Sequence, residues 1–355
     1  FRAGVNAGNS IESGGNYNTV VGDEAGTAIT TGDNNVAVGY ASLDANTTGG
    51  SNTAVGSAAL GANTTGNINT AVGLSALATN TEGLNNSALG VNALNANTTG
   101  DDNVAIGYQA LLLNTTADDN TAVGNAALKL NTTGTQNNAF GSGALDANTT
   151  ASFNTAMGHN SLGANTTGAG NTALGQTALT ANTTGAQNVG IGAGAGGAVT
   201  TAVNSTFVGY VSGGATTTGA TNTGLGWSAF ASNTTGAENV AVGGQALAAN
   251  TTASNNTAIG RSALVANTTG ANNTAVGKDA GKALTVGNSN TVVGQNALSL
   301  DTKGDLNTAI GIGALQSQNF TSSTDSYNTA VGGFAGGSNT TGQNNTFVGG
   351  LAGNK

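Results

Sequence analysis

The chain has 355 residues with 59 Gly, no Pro and no Cys, only 6% charged residues, and a formal net charge of −9. This composition excludes disulfide and thiol chemistry, disfavours disorder, which is typical of chains rich in charge and Pro, and does not fit collagen. The basic footprint of a nucleic-acid binder and an apolar run of about 18 residues are also missing, so we expect neither a nucleic-acid partner nor a membrane-spanning helix.

The first segment, residues 1–17, is an irregular copy of a repeat that continues along the whole chain. From Gly22 to Gly311 a Gly recurs every 17 residues, and the series resumes after an insertion within 316–327. Units of a repeat contact mainly their neighbours and behave as one array. The sequence therefore predicts a single repetitive domain over residues 1–355, made of about 21 coils.

The repeating unit predicts strands. Numbered from its Asn, the 17-residue unit reads N-T-A-V-G-x-x-A-L-x-A-N-T-T-G-x-x, as in residues 52–68. Gly, Asn, Thr and Val dominate it, and its two short apolar runs are separated by turn residues, which disfavours a helix. Identical coils stacked about 4.8 Å apart would pair every backbone amide with the neighbouring coil. We therefore expect an all-β fold, a parallel β-solenoid of the β-roll or β-helix type.

The apolar positions predict the interior. Position four is apolar in every copy from Val21 onward, so we expect it in the core, with position two on the same face of the strand. Position three is nearly always Ala or Gly, which indicates a second packed face. Position nine is Leu in most copies, but where it is Gly26 or Gly281 the residue three later is Ile or Leu, so side-chain volume is expected to move within the coil. Gly213 and Gly336 do not follow this rule.

Asn recurs at positions one and twelve, and at position twelve it is unbroken from Asn46 to Asn182. Stacked Asn amides can hydrogen-bond from copy to copy, so we predict Asn ladders along the solenoid. The same Asn-Thr-Thr turns match the N-glycosylation pattern, which makes an attached glycan an alternative. Ice binding by the Thr columns is a further alternative, although adjacent Thr residues of a strand point to opposite faces.

The repeat has a recognisable relative. N-T-A-V-G, its variant N-T-A-I-G at 256–260 and 307–311, and A-L-x-A-N-T-T-G together resemble the repeats in the heads of trimeric autotransporter adhesins. They are also similar to repeats of bacterial and phage tail-fibre proteins. Heads of that family are left-handed parallel β-rolls, assembled as trimers outside the cell and used for attachment. The resemblance implies an extracellular or cell-surface location, or a virion tail fibre, with a parallel trimer and a host-surface or glycan ligand as partners.

Both ends of the sequence fall inside a copy of the repeat, Phe1 at position two and Lys355 at position eleven. Val5, Phe347 and Val348 are of core type, so we expect all five residues at an end-to-end interface. Complementary open faces of one solenoid generate a fibre when the head-to-tail contact does not close. The sequence thus predicts a structural subunit of an extracellular filament that associates head to tail. The alternative is a trimeric adhesin or tail-fibre shaft that mediates surface attachment.

No catalytic grouping is expected. His159, the only histidine, stands at a variable position without an orienting partner, as a Ser-His-Asp site would require. The segment 192–197 matches the glycine spacing of a dinucleotide loop, but its glycines fall at ordinary repeat positions and no helix is predicted after them. We therefore expect no enzyme activity and no cofactor.

One candidate metal site is left. Asp101, Asp102, Asp118 and Asp119 form two pairs 17 residues apart, which would stack as four carboxylates on adjacent coils. Hard cations such as Ca²⁺ take several oxygen ligands. The alternative is a solvated turn. The Leu pair at 112–113 is a separate irregularity, which predicts either a lateral contact or an extra core side chain.

Overall fold

The computed structural model describes residues 1–11 and 14–354, and these residues form strands and turns without a helix. They divide into two compact units, Phe1–Gln176 and Thr177–Lys355. Each unit is a parallel β-solenoid, which confirms the predicted fold class. The single domain over the whole chain stays a prediction.

The strands of the first unit are β1 (Arg2–Ala3), β2 (Thr19–Val21), β3 (Val36–Val38), β4 (Thr53–Val55), β5 (Thr70–Val72), β6 (Ser87–Leu89), β7 (Val104–Ile106), β8 (Thr121–Val123), β9 (Asn138–Phe140), β10 (Thr155–Met157) and β11 (Thr172–Leu174). Those of the second unit are β12 (Val189–Ile191), β13 (Thr206–Val208), β14 (Thr223–Leu225), β15 (Val240–Val242), β16 (Thr257–Ile259), β17 (Thr274–Val276), β18 (Thr291–Val293), β19 (Gly304–Asp305), β20 (Thr308–Ile310), β21 (Thr324–Asp325), β22 (Thr329–Val331) and β23 (Thr346–Val348).

Within each unit the coils lie on one another in register. Thr53 of β4 is opposite Thr70 of β5, and Val55 is opposite Val72, so each repeat position pairs with its own copy in the next coil. Backbone groups outside the strands also bond to the next coil, as where the N–H of Leu60, at position nine, donates to the carbonyl of Ala76, at position eight, at 3.1 Å. Every coil is therefore the hydrogen-bonding template for the next one.

The insertion is absorbed near the end of the second unit. Thr302 and Asn319, whose side chains are joined by a 3.1 Å hydrogen bond, are still 17 residues apart. Thr308 of β20, however, pairs with Thr329 of β22. The extra residues lie between these points, where the short strands β19 and β21 pair with each other. The register of the main sheet is thus restored by a local bulge of the chain.

The expectation for position four is wrong, because its side chains face outwards. Ala54 and Ala71, at position three, are fully buried, whereas Val55 at position four is only half-buried and Leu89 is 49% exposed. In the second unit the continuous core cluster is built mainly from positions three, eight and nine, as with Ala241 and its neighbours. Successive residues of a strand point to opposite faces, so burying Ala turns the larger residue out.

The side chain of position nine explains why the small residue is the buried one. A Cβ built on Gly190, at position three, would lie 2.8 Å from Cγ of Leu179, and one on Gly196 would lie 2.7 Å from Cδ2 of the same Leu. The Leu of one coil therefore reaches over position three of the next coil. The space at position three is therefore restricted, which explains why this position carries a small residue, Ala or Gly, in most coils.

The predicted exchange of volume between positions nine and twelve is confirmed. A Cβ on Gly26 would lie 2.8 Å from Cδ1 of Ile29, and Ile29, Val199 and Leu284 are all fully buried. The two exceptions have a different source of volume, because a Phe at position three fills the gap. Phe207 occupies the space beside Gly213 of its own coil, and Phe347, in the coil that follows Gly336, occupies the space beside that Gly.

The Asn ladders are also confirmed. Nδ2 of Asn63 donates to Oδ1 of Asn46 at 2.8 Å and to the carbonyl of Gly66 at 2.9 Å, and this pattern recurs from coil to coil at position twelve. These Asn side chains are fully buried, so the glycosylation alternative does not fit the folded chain. Where Leu284 replaces the next Asn, buried Oδ1 of Asn267 accepts no hydrogen bond from a described residue.

Candidate functional site on the outward sheet face

The outward side of position four carries large apolar residues. In the first unit Leu89, Ile106, Phe140 and Met157 are all exposed, and they belong to strands β6, β7, β9 and β10. We call these four residues the outward ladder. Their strands pair in parallel and in register through the half-buried Val123 of β8, so the ladder follows the axis of the stacked coils.

A second column of exposed apolar residues stands at position six. Leu74, Val91 and Tyr108 occupy this position in consecutive coils, and all three are exposed. Val91 and Tyr108 follow Leu89 and Ile106 of the outward ladder by two residues along the chain. Contiguous exposed apolar patches on soluble proteins mark interaction sites, whereas scattered single residues do not. The first unit therefore presents a surface suited to contact with another apolar surface.

Neither Leu of the pair at 112–113 is a buried core side chain, since Leu112 is half-buried and Leu113 is exposed. Leu113 is 40% exposed and Leu130, at the same position of the next coil, is 39% exposed. Both stand at position eleven of the repeat, whereas the strand covers positions two to four. They are as exposed as the outward ladder but belong to a separate surface.

The four Asp residues of the metal candidate do not converge on one point. Oδ1 of Asp118 accepts the backbone N–H of Asp101 at 2.8 Å, and Oδ1 of Asp101 accepts that of Leu84 at 2.7 Å. Asp102 and Asp119 are exposed at left-handed turn positions. Across residues 1–11 and 14–354, no three His, Cys, Asp or Glu side chains are grouped to hold a metal ion. The carboxylates of Asp101 and Asp118 therefore bond the turns of successive coils to each other.

The residues predicted for an end-to-end interface have different surroundings. Phe1, Val5 and Val348 are exposed, while Phe347 is half-buried and packs against the core cluster of the second unit. Lys355 lies outside the described residues. The head-to-tail contact itself stays a prediction.

The remaining chemical candidates occupy ordinary repeat positions. His159 is exposed at position six. Gly192, Gly194 and Gly196 stand at positions five, seven and nine, where φ is positive, and the described residues after them form a turn and strand β13. The Thr columns do not act as one surface, because Thr64 donates its hydroxyl to the carbonyl of Thr81 at 2.9 Å.

Two titratable groups are perturbed by their surroundings. A hydrogen bond from the hydroxyl to Glu24, together with the negative charge of that carboxylate, raises the pKa of Tyr40 above 10.0. Burial raises the pKa of the Asp146 carboxyl above 3.8, although backbone N–H groups and the charge of Lys129 act in the opposite direction. Tyr40 and Asp146 stand six coils apart in the first unit, about 29 Å along the stack, so they do not form an acid–base pair.

One buried polar cluster of the second unit was missed in the sequence. Asp301, fully buried at position twelve, accepts Nε2 of Gln318 at 2.7 Å and the backbone N–H groups of Gly304 and Phe320 at 3.1 and 3.2 Å. Oε1 of Gln318 in turn accepts Nδ2 of Asn328 at 2.9 Å. The cluster continues the ladder across the insertion, and the only signal for it was the 17-residue spacing of Asp301 and Gln318.

None of the described residues forms a helix long and apolar enough to cross a membrane. No model of a known protein family matches the chain. A comparison with curated proteins gives no relative either.

Proposed function

We propose that this chain is a structural subunit of an extracellular filament and that copies of it pack side by side through the outward ladder. The observation that carries the proposal is the exposure of Leu89, Ile106, Phe140 and Met157 on a regular sheet face. Association of two such faces is favourable because each Å² of apolar surface that it buries contributes about 25 cal/mol. A second copy of the same chain offers the matching surface.

The regular spacing of the ladder supports a partner that is itself a solenoid. Side chains that recur about every 4.8 Å along one line can interdigitate with a second line of the same spacing. A lateral contact of this kind requires nothing of the ends of the chain. It also agrees with the trimers and the extracellular display that the resemblance to adhesin heads implies, and a structural role of this kind involves no catalysis.

The proposal is tested by the mass of the native protein in solution. Sedimentation velocity of the wild type should show an oligomer, and the triple variant Leu89→Thr, Ile106→Thr, Met157→Thr should sediment as a monomer. Thr is a β-branched residue that strands favour, and it removes apolar area. The matched control is Leu113→Thr with Leu130→Thr, which removes similarly exposed Leu side chains from another surface. A monomeric wild type, or equal dissociation of the control, would contradict the lateral assembly.

A further inference from the structure

Position six of the second unit carries an unusual run of residues in consecutive coils. The carbonyl of each accepts the N–H that follows its counterpart in the next coil, at 2.9 to 3.1 Å, so the residues stand in one line with a spacing of about 4.8 Å. This position-six column consists of Tyr210, Trp227, Gly244, Arg261 and Lys278.

The upper part of the column is an aromatic platform. Tyr210 is 61% exposed and Trp227 is 54% exposed, on neighbouring coils. A Cβ built on Gly244 would lie 3.9 Å from Cε3 of Trp227, so the indole extends over the next coil. Because Gly244 has no side chain, nothing at this position covers the indole on the side of Arg261.

The lower part of the column is basic in a chain that is acidic as a whole. Three of the seven Lys and Arg residues, Arg261, Lys278 and Lys282, lie in two adjacent coils, and Asp279 is the only acidic residue between 261 and 282. Nζ of Lys278 is 3.8 Å from Asp279, and Nζ of Lys282 is 3.6 Å from the same carboxylate. Arg261 is exposed and forms no ion pair within the described part of the chain. These two coils therefore carry three positive charges and one negative charge between residues 261 and 282.

We propose that the position-six column binds an acidic oligosaccharide. The C–H face of a sugar ring is apolar and packs on exposed aromatic rings, which Tyr210 and Trp227 provide on adjacent coils. The planar guanidinium of Arg261 suits a carboxylate or sulfate bidentately, and Lys278 adds a second positive charge one coil further on. A linear saccharide offers rings and anionic groups along one line, which matches the order of the column.

The column fits a saccharide better than a nucleic acid. Binding to a nucleic acid depends on neutralising many phosphates along a basic face, and the column has only Arg261 and Lys278 in line, within a chain of net charge −9. The site would give the filament a means of attachment to an acidic glycan. It does not depend on the lateral assembly, because none of its residues belongs to the outward ladder.

The test is calorimetric titration of the full chain with two acidic probes, oligogalacturonate for carboxylates and a heparin-derived oligosaccharide for sulfates, and with neutral maltohexaose as the reference. At least one acidic probe should bind and maltohexaose should not. Trp227→Ala and Arg261→Gln should each weaken binding about tenfold, whereas Trp227→Phe should retain most of it. Tyr40→Ala is the matched control, since Tyr40 is an exposed aromatic at position six without a basic residue at that position in either neighbouring coil.

Trp227 and Arg261 are exposed, so their substitution removes no buried side chain, and circular dichroism of each variant checks that the fold is retained. The proposal is overturned if neither acidic probe binds, or if maltohexaose binds equally well. It is also overturned if Trp227→Ala leaves the affinity unchanged while Arg261→Gln abolishes it, since that pattern indicates attraction of any polyanion. Tighter binding of single-stranded DNA than of both saccharides would contradict it as well. The oligomeric state, measured separately, keeps this outcome distinct from that of the lateral assembly.

Discussion

The ring of Phe207 fills the space that a side chain on Gly213 would need, within one coil of the second unit. Most coils place Leu at position nine and Ala at position three, and this coil has exchanged the two volumes. The side-chain volume that fills the interior is thus kept in this coil, although different residues supply the volume. Gly224, at position three of the following coil, also borders the ring, with a Cβ there 3.2 Å from Cδ1.

We predict that Phe207→Ala and Gly213→Leu each destabilise the chain and that the double variant restores part of the loss. Phe207→Ala leaves a cavity that costs about 3–5 kcal/mol, and Gly213→Leu overpacks the same space at a cost of about 1–3 kcal/mol. Together they recreate the common Ala and Leu arrangement. Denaturant unfolding of the three variants measures the coupling, and strictly additive losses would contradict the shared space.

Removing one rung of the Asn ladder should destabilise the first unit. Nδ2 of Asn80 donates to Oδ1 of Asn63 at 2.8 Å, and its own Oδ1 accepts Nδ2 of Asn97 at 2.8 Å. Asn80→Ala leaves both partners buried and short of a hydrogen bond, at about 1–3 kcal/mol for each unsatisfied group. Thr65→Ala, at an exposed turn position, is the control and should leave the unfolding midpoint unchanged. Equal midpoints of Asn80→Ala and the wild type would show that the ladder contributes nothing.

Two neighbouring Ala residues should respond to Gly in opposite directions. Ala58 has a φ of 56°, a left-handed conformation that costs a non-Gly residue about 1–2 kcal/mol, so Ala58→Gly should raise thermal stability. Ala59 is fully buried and does not have a positive φ. Ala59→Gly therefore removes a core contact and increases the entropy of the unfolded chain, which should lower the free energy of unfolding by roughly 1 kcal/mol. Thermal unfolding followed by circular dichroism compares them, and shifts of the same sign would contradict the backbone assignment.

Asp146 should make stability depend on pH. Because burial raises the pKa of its carboxyl above 3.8 in the folded chain, the folded state holds this proton more tightly than the unfolded state. Its favourable contribution is therefore complete below the unfolded pKa and is lost as the pH rises through the folded pKa. Asp146→Asn should gain stability relative to the wild type between about pH 3 and pH 7. A stability difference that stays constant over this range would remove burial as the cause.

The periodicity of the sequence was sufficient to predict the register of the coils. Gly56 and Gly73 stand 17 residues apart, and a Cβ on the first would collide with the carbonyl of the second, so the spacing of these glycines records the close contact of successive coils. The Asn ladders followed from the same spacing. Both features are local consequences of stacking identical units, which sequence reasoning treats well.

The inward face could not be predicted in the same way. Alternation along a strand separates Ala54 from Val55 but does not tell which one points inwards. The answer depends on position nine, because a Leu such as Leu179 already fills the interior against position three of the next coil. A larger residue enters position three only where position nine of the preceding coil is Gly, as with Phe207 and Gly196. A prediction that places the larger residue of the pair in the core therefore assigns the inward and outward faces of the strand the wrong way round.

The position-six column follows in part from the sequence. Trp227 and Arg261 are separated by two repeats, so stacking places them on one line, but position six varies from coil to coil and carries no repeated signal. The spacing does not predict the orientation of the Trp227 indole, because that orientation depends on the space left by Gly244.

The most direct test of the account is whether position four faces outwards and position three inwards. The chain has no Cys, so Ala88→Cys and Leu89→Cys each introduce a single thiol, at a position that is 1% exposed and at one that is 49% exposed. In dilute native protein, a small maleimide should label Leu89→Cys rapidly and leave Ala88→Cys unlabelled until denaturant is added, and protection of Leu89→Cys should appear only as the protein concentration rises. Faster labelling of Ala88→Cys, with Leu89→Cys protected at every concentration, would contradict the account.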